Sequence, residues 1–425
     1  MAALLIYAVK KLRHKLVAWL GTVYTFKYKA CFCIWEMMKM LKRFSLKNYK
    51  NFKDELVLDL GSTAGYQFNT DCLYKSLISK MMIYGRNATG KSNLGTALTD
   101  ICYTIMGFPR YDNESTFLNA DSDEDSACFL YVFEFDQTEV VYEYARRSTR
   151  ELLQEKLVID EKTVFDCDYE TGQKCFDGLA YIHADTVNTA VYENSLNHEE
   201  ETEERFEIVL PFLRWLISNT AFHSDSVLLR LRYYVARMQV INNRSILSTR
   251  RSMNGFSEYL EKTGRLGDFE EFLNAMGIDC SLELKKLPED QYALYFKHNK
   301  LVPFFETASS GTLAASVLYR RLFPGSLNSN LWPSLIYMDE FDAFYHYEMA
   351  HNVIKFLKEK YPEMQVILTT HNTNLMSNRI MRPDCLFILS TRGTLTPLCS
   401  ATERELREGH NLEKMYISGE FDKYE

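Results

Sequence analysis

Residues 85–92 read Gly-Arg-Asn-Ala-Thr-Gly-Lys-Ser, the spacing Gly-x4-Gly-Lys-Ser known as Walker A. Glycines let a backbone wrap closely around an anion, lysine supplies a compact positive charge, and a serine hydroxyl is a hard oxygen ligand suited to Mg2+. The apolar run Met81–Tyr84 precedes the loop, and Leu94, Ala97, Leu98, Ile101 and Ile105 follow it at helical spacing between Asn93 and Met106. A strand–loop–helix of this kind aims free N–H groups and the positive end of a helix dipole at phosphate. Gly85, Arg86, Asn87, Ala88, Thr89, Gly90, Lys91 and Ser92 are therefore candidates for phosphate binding. Lys91 would address the β- and γ-phosphates and Ser92 the metal.

Three further stretches could join that loop. Leu335–Met338 is apolar and ends in Asp339-Glu340. Carboxylates at the end of a buried parallel strand stand where ligands bind in open α/β sheets. Asp339 would enter the Mg2+ shell and Glu340 would act as general base on an attacking water. Gln365–Thr369 is a second such strand, leading into Thr370-His371-Asn372, and one helix separates it from the acidic pair. His371 would then share a sheet edge with them and reach a γ-phosphate. Thr307–Thr312 opens a helix with Ser309 and Gly311, which suits either an anion or a simple helix cap.

The elements that must position these residues alternate in type. Strands are expected at 41–49, 55–60 and 81–84, several antiparallel ones over 127–169, and more over 278–305, 335–338, 365–369, 386–389 and 395–398. Helices are expected over 93–106, 206–219, 226–241, 314–322 and 344–361. The acidic run Glu199–Glu204 reads as a solvated face. The expected class is α/β, with a mainly parallel core sheet, an antiparallel β subdomain and a helical insertion. In domain terms this gives a basic extension over 1–39, an N-lobe over 40–178, a helical insertion over 179–277 and a C-lobe over 278–425.

Composition narrows the class. The chain has 425 residues, 46% of them hydrophobic and 25% charged, with a net charge of −8. That is globular composition, and the acidic balance argues against a surface that coats nucleic acid throughout. Residues 1–39 carry seven basic residues against Glu36, a net of +6 that leaves −14 on the rest. Their apolar runs are interrupted by charge and fall short of the ~20 residues a bilayer span needs, so no stable membrane insertion is expected. The segment is either a basic arm for a membrane surface or partner, or sequence upstream of a natural start at Met37, Met38 or Met40. The ten cysteines form no C-x-x-C, which points to reduced thiols in a cytoplasmic protein.

In this order the motifs resemble those of an ABC-type ATPase head of the SMC and OLD-like group. Ala308–Thr312 resembles the signature motif, with Ser309 at the serine, Gly311 at the second glycine and Ser310 in place of the first. His371 matches the switch histidine. Asp339–His346 resembles the Asp-Glu-x-Glu/Asp-x-x-x-His run of standalone bacterial AAA-like ATPases. Asn411–Phe421 is similar to the tail of RloA and abortive-infection AbiL type proteins. Gln137 and Gln154 are candidates for the Q-loop glutamine. The resemblance spans roughly 40–108 and 279–421 and leaves the helical middle uncovered.

The resemblance implies an ABC-ATPase-like head that takes ATP and Mg2+. It also implies a head-to-head homodimer or higher oligomer, in which Ser309 and Gly311 of one chain complete the site of the other. It implies an ATP-hydrolysing switch in anti-phage defence, acting on a separate nuclease or Toprim-like effector, since nothing in the chain resembles a nuclease of its own. The alternative is an SMC-like DNA repair or recombination ATPase with nucleic acid as partner, for which Arg230, Arg232, Arg237, Arg244, Arg250 and Arg251 are the basic candidates. A transporter ATPase subunit fits less well with the antiparallel elaboration.

Overall fold

The computed structural model describes residues 39–107, 116–197, 209–242, 253, 255–323 and 332–425. The basic extension up to residue 38, the acidic run 199–204, and Arg244, Arg250 and Arg251 lie outside the described residues.

Strand β1 (Lys39–Lys47) turns back into β2 (Leu56–Asp59). A short hairpin of β3 (Leu73–Tyr74) and β4 (Leu77–Ile78) leads to β5 (Lys80–Tyr84), which is buried throughout. Helices α1 (Lys91–Leu98) and α2 (Asp100–Met106) follow. The single helix expected over 93–106 is thus two, broken at Thr99, whose φ of −97° and ψ of 7° leave the helical range. Then come β6 (Ala127–Phe135), β7 (Thr138–Arg146), β8 (Leu152–Ile159), β9 (Lys162–Asp168) and β10 (Lys174–Cys175). These strands and β1–β2 form a seven-stranded antiparallel sheet, ordered β10-β9-β8-β7-β6-β1-β2. Along β6 the odd-numbered residues are buried and the even ones are not, the alternation a sheet with one wet face requires.

The middle of the chain holds α3 (Thr189–Asn197), α4 (Phe212–Asn219) and α5 (Val227–Val235). The helix expected over 226–241 stops at Val235, and Met238–Ile241 forms β11 instead. Four apolar-rich residues cannot be told from a helical turn by periodicity. What decides is long-range: β11 pairs in parallel with the apolar strand that precedes Asp339. The middle therefore contributes a core strand as well as helices. It continues with α6 (Phe256–Thr263) and α7 (Leu266–Ala275).

The remainder begins with a three-stranded antiparallel sheet of β12 (Leu282–Lys286), β13 (Tyr292–Lys297) and β14 (Leu301–Pro303). Next are α8 (Phe304–Thr307), α9 (Ser310–Leu322), β15 (Leu335–Met338) and α10 (Tyr347–Lys360). The helix expected from Phe344 thus starts three residues later. The described chain ends with β16 (Gln365–Thr370), β17 (Leu386–Leu389), β18 (Leu395–Pro397) and α11 (Leu412–Ile417). The core sheet runs β11-β15-β16-β5-β17-β18, and only β17–β18 is antiparallel. A mixed α/β fold with a mainly parallel core sheet and an antiparallel β subdomain is therefore what the chain forms.

Helices α1 and α2 lie between the two large sheets. On one side, Tyr131 Oη donates to the Ala97 carbonyl at 2.9 Å and Tyr144 Oη to Asp100 Oδ2 at 2.7 Å. On the other, Gly95 lies flat on the Tyr337 ring of β15, where a Cβ would come within 2.5 Å of a ring carbon. Two buried polar side chains fasten the layers. Glu155 of β8 accepts from Tyr142 Oη at 2.7 Å, from Tyr169 Oη at 2.5 Å and from the Phe212 amide that starts α4. Burial pushes its carboxyl above the ordinary value. Gln365 joins both sheets and α5: it accepts from the Leu41 amide at 2.8 Å and from Tyr234 Oη at 2.5 Å, and it donates to the Leu41 carbonyl at 2.8 Å.

Gln365 is 1% exposed, so Gln365→Leu removes three buried hydrogen bonds. The expected loss of stability is about 2–5 kcal/mol, read as a lower denaturation midpoint in urea. A midpoint equal to that of the wild type would show that the sheets are held together without this side chain.

Candidate functional site

Along the core sheet β15, β16 and β5 are adjacent and parallel, so their carboxyl ends share one edge. Asp339, His371 and Gly85 each directly follow one of these strands. An edge of this kind is where an open α/β sheet receives ligands.

The loop Gly85–Ser92 is shaped by its glycines. At Gly85 a Cβ would stand 2.8 Å from the Leu389 carbonyl oxygen and 2.9 Å from Thr89 Oγ1. Gly90 has φ +99°, and a Cβ there would meet the Phe52 ring at 3.0 Å. Neither position admits a side chain without displacing its neighbours. Gly90 caps α1, so the amides that open this helix face the loop. Arg86, Asn87 and Ala88 are exposed, whereas Thr89 and Gly90 are buried. Lys91 is 5% exposed, and its Nζ donates to the carbonyls of Gly85 at 2.7 Å and Arg86 at 2.9 Å. Burial lowers its pKa to about 8, against the pull of Asp339 and Glu340 toward the charged form.

Ser92 and Asp339 are brought together: Ser92 Oγ donates to Asp339 Oδ2 at 2.5 Å. Thr369 Oγ1, from the end of β16, donates to Asp339 Oδ1 at 2.8 Å. The same hydroxyl accepts from the Glu340 amide at 2.8 Å. Glu340 has φ +48°, a left-handed conformation that costs a non-glycine residue on the order of 1 kcal/mol. Its bond to Thr369, and that of the Phe341 amide to the Thr369 carbonyl at 3.1 Å, hold the turn. His371 Nε2 lies 3.6 Å from Glu340 Oε1, both side chains being partly exposed.

Several of these positioning groups carry no motif. Tyr337 Oη donates to the Lys91 carbonyl at 2.5 Å, which draws α1 onto β15. Asn51, in the turn between β1 and β2, donates to the Ala88 carbonyl at 3.4 Å and is hydrogen-bonded to Asn93. Beside them opens a surface cavity of about 610 Å3, lined by Lys50, Asn51, Asn93, Leu118, Asn119 and Arg147.

Ser309 and Gly311 lie apart from this group. Ser309 is exposed, and its Oγ accepts from the Thr312 amide at 3.1 Å, capping α9. Gly311 sits beside the Phe344 carbonyl, where a Cβ would come within 3.0 Å. Their contacts run to Thr312 and Phe344 rather than to residues 85–92. Of the Q-loop candidates, Gln137 is exposed in the turn between β6 and β7, and Gln154 donates to Asp168 Oδ2 at 3.0 Å within the antiparallel sheet.

The donor set fits a magnesium–nucleotide. The loop is a glycine-walled cradle with an ammonium and a helix N-terminus, and Ser92 and Asp339 offer two hard oxygens already in contact. Mg2+ gives up its waters reluctantly and takes one or two protein oxygens plus phosphate. Among the described residues no cluster of three or more His, Cys, Asp or Glu forms a metal cage of its own. Nor, among them, is any helix long and apolar enough to cross a membrane. The eight described cysteines are free thiols.

No curated protein matches this chain. Among solved structures it is similar to the SMC head domain from Thermotoga maritima, at 14% identity over 84% of this chain and 98% of that one, with a TM-score of 0.41. It is also similar to the Smc head domain with an extended coiled coil from Pyrococcus furiosus, solved bound to the C-terminal domain of ScpA, at 16% identity over 84% and 96% with a TM-score of 0.41. A third is the Smc head domain with a coiled coil and joint from Pyrococcus yayanosii, at 13% identity over 90% and 100% with a TM-score of 0.43. Overlaps this low carry no conclusion about function. A family model does: the one described as "AAA domain, putative AbiEii toxin, Type IV TA system" matches residues 80–377, from the first residue of β5 to beyond His371. With more than two thirds of its length matched, the chain belongs to this family of AAA domains.

Proposed function

We propose that the chain is an ATP-binding and ATP-hydrolysing switch of a bacterial abortive-infection system, acting in the cytoplasm on a separate effector such as a nuclease or Toprim-like protein. The observation that carries the ATPase reading is the meeting of Lys91, Ser92, Asp339 and Glu340 at one edge of the parallel sheet. The defence reading is supported by the family's description, which names a putative AbiEii toxin and a type IV TA system, and by the likeness of Asn411–Phe421 to the tail of RloA and AbiL type proteins.

In this reading Lys91 and the amides at the start of α1 hold the β- and γ-phosphates. Ser92 and Asp339 would hold Mg2+, which when bound neutralises phosphate charge and orients the transferred group. Glu340 takes the proton of the attacking water, and His371 at 3.6 Å steadies that carboxylate. The cavity beside Asn51, Asn93 and Asn119 offers amide groups to the base end of the nucleotide. The DNA-repair alternative has less to draw on. Arg230 is paired with Asp136 at 3.1 Å, and Arg237 donates to the carbonyls of Tyr233 and Trp332, both at 3.1 Å.

Glu340→Gln keeps the shape and loses the base. It should bind ATP as the wild type does and hydrolyse it on the order of 100-fold more slowly or worse. Phosphate release at the wild-type rate would move the general base elsewhere, with Asp342 the next residue to test.

Ser309 is exposed and its hydrogen bonds go to Thr312, which suits a head-to-head homodimer in which it serves the partner's nucleotide. Lys91→Ala and Ser309→Arg chains, each inactive alone, should then recover part of their ATPase activity when co-expressed, because one composite site is intact. Background activity in mixed dimers verified by two different tags would count against completion in trans.

A further inference from the structure

We propose that Asn411–Glu425 acts as a charge gate on the phosphate loop, in which the Glu425 carboxylate weakens nucleotide binding by holding Arg86. The proposal rests on the reading of Gly85–Ser92 as a nucleotide-phosphate site.

Arg86 is the second residue of that loop. Its Nε donates to Glu425 Oε2 at 2.7 Å, and its Nη2 contacts the same oxygen. The two sides of this ion pair differ in setting. The Arg86 side chain is 65% exposed, whereas that of Glu425 is 8% exposed. The carboxylate is therefore embedded in the protein, and the guanidinium stands between it and solvent at the rim of the loop. A guanidinium presents the same planar fork of donors to a carboxylate as to a phosphate. Glu425 and an incoming polyphosphate compete for one set of donors.

The segment that carries Glu425 is built in rather than loose. Leu412 and Phe421 are 1% and 0% exposed, and the Phe421 ring lies 6.4 Å from that of Tyr416. Asn411 Oδ1 caps α11 by accepting from the Lys414 amide at 2.9 Å. Glu420 Oε1 accepts from Thr402 Oγ1 at 2.6 Å and lies 3.4 Å from Arg404. Helix α11 packs against the turn Thr373–Leu375, two residues beyond His371. One short segment thus joins the exit of the His371 strand to the phosphate loop. The pair sets an affinity threshold for the loop that carries Arg86.

Titrating ATP into the wild type, Glu425→Gln, Arg86→Ala and the double variant tests this. Glu425→Gln should bind ATP about three- to five-fold more tightly, the size expected for a partly solvated charge, with the gain shrinking as salt is raised. Glu425→Ala should repeat the gain, so a folding defect peculiar to one variant, checked by thermal unfolding, does not decide the result. In the Arg86→Ala background the gain should fall away. Unchanged or weaker binding by both Glu425 variants overturns the gate, and so does an equal gain without Arg86. A Lys91→Ala control separates the two levels. If that variant binds ATP like the wild type, the phosphate-site reading fails; if it loses binding while both Glu425 variants match the wild type, only the gate does.

Discussion

The contact of α1 with β15 governs the geometry of this molecule. Gly95 presses on the face of Tyr337, and the Tyr337 hydroxyl reaches the Lys91 carbonyl in the first turn of the helix. Any side chain at residue 95 would lift the helix off the strand, because the ring is buried and packed on its other sides. The consequence lies one residue after Lys91 and two after Tyr337, where Ser92 and Asp339 meet at hydrogen-bond distance. The chemistry of the loop thus depends on a tight, mostly apolar contact that has no chemistry of its own.

The same economy holds for the layers around it. The antiparallel sheet covers the outer face of α1 and α2 through Tyr131 and Tyr144, and these hydroxyls find backbone or carboxylate partners rather than water. Glu155 and Gln365 then tie sheet to helix and sheet to sheet with fully occupied acceptors. Buried polar groups of this kind are expensive unless every one is satisfied, so they define which strand meets which. The loop Gly85–Ser92 is held between the turn at Asn51 and the strand end at Leu389. Its shape is imposed from both sides.

The parts of this site written in local sequence were legible in advance. Gly85–Ser92 carries its own spacing and its own flanking strand and helix, and the apolar runs before Asp339 and His371 announced buried strands with polar ends. What no window of sequence could reveal are partners far apart in the chain. Thr369 is an ordinary strand residue until β16 is set beside β15, when it bonds both Asp339 and Glu340. Tyr337 and Gly95 look like core filler until the helix lands on the strand. Met238–Ile241 follows a helix so closely that its periodicity merges with it, and only pairing with β15 identifies it as a strand. Glu425 had no signal at all, because its importance lies in reaching Arg86 across the whole chain.

In the proposed ATPase reading, this packing joins Ser92 and Asp339 into one seat for the metal that accompanies a nucleotide. The most direct test is a calorimetric titration of ATP, with and without Mg2+, into the wild-type chain and Ser92→Ala. Mg2+ should tighten ATP binding to the wild type by about tenfold or more, roughly 1.4 kcal/mol, and that gain should disappear in Ser92→Ala. A gain of equal size in both proteins would place the metal away from Ser92.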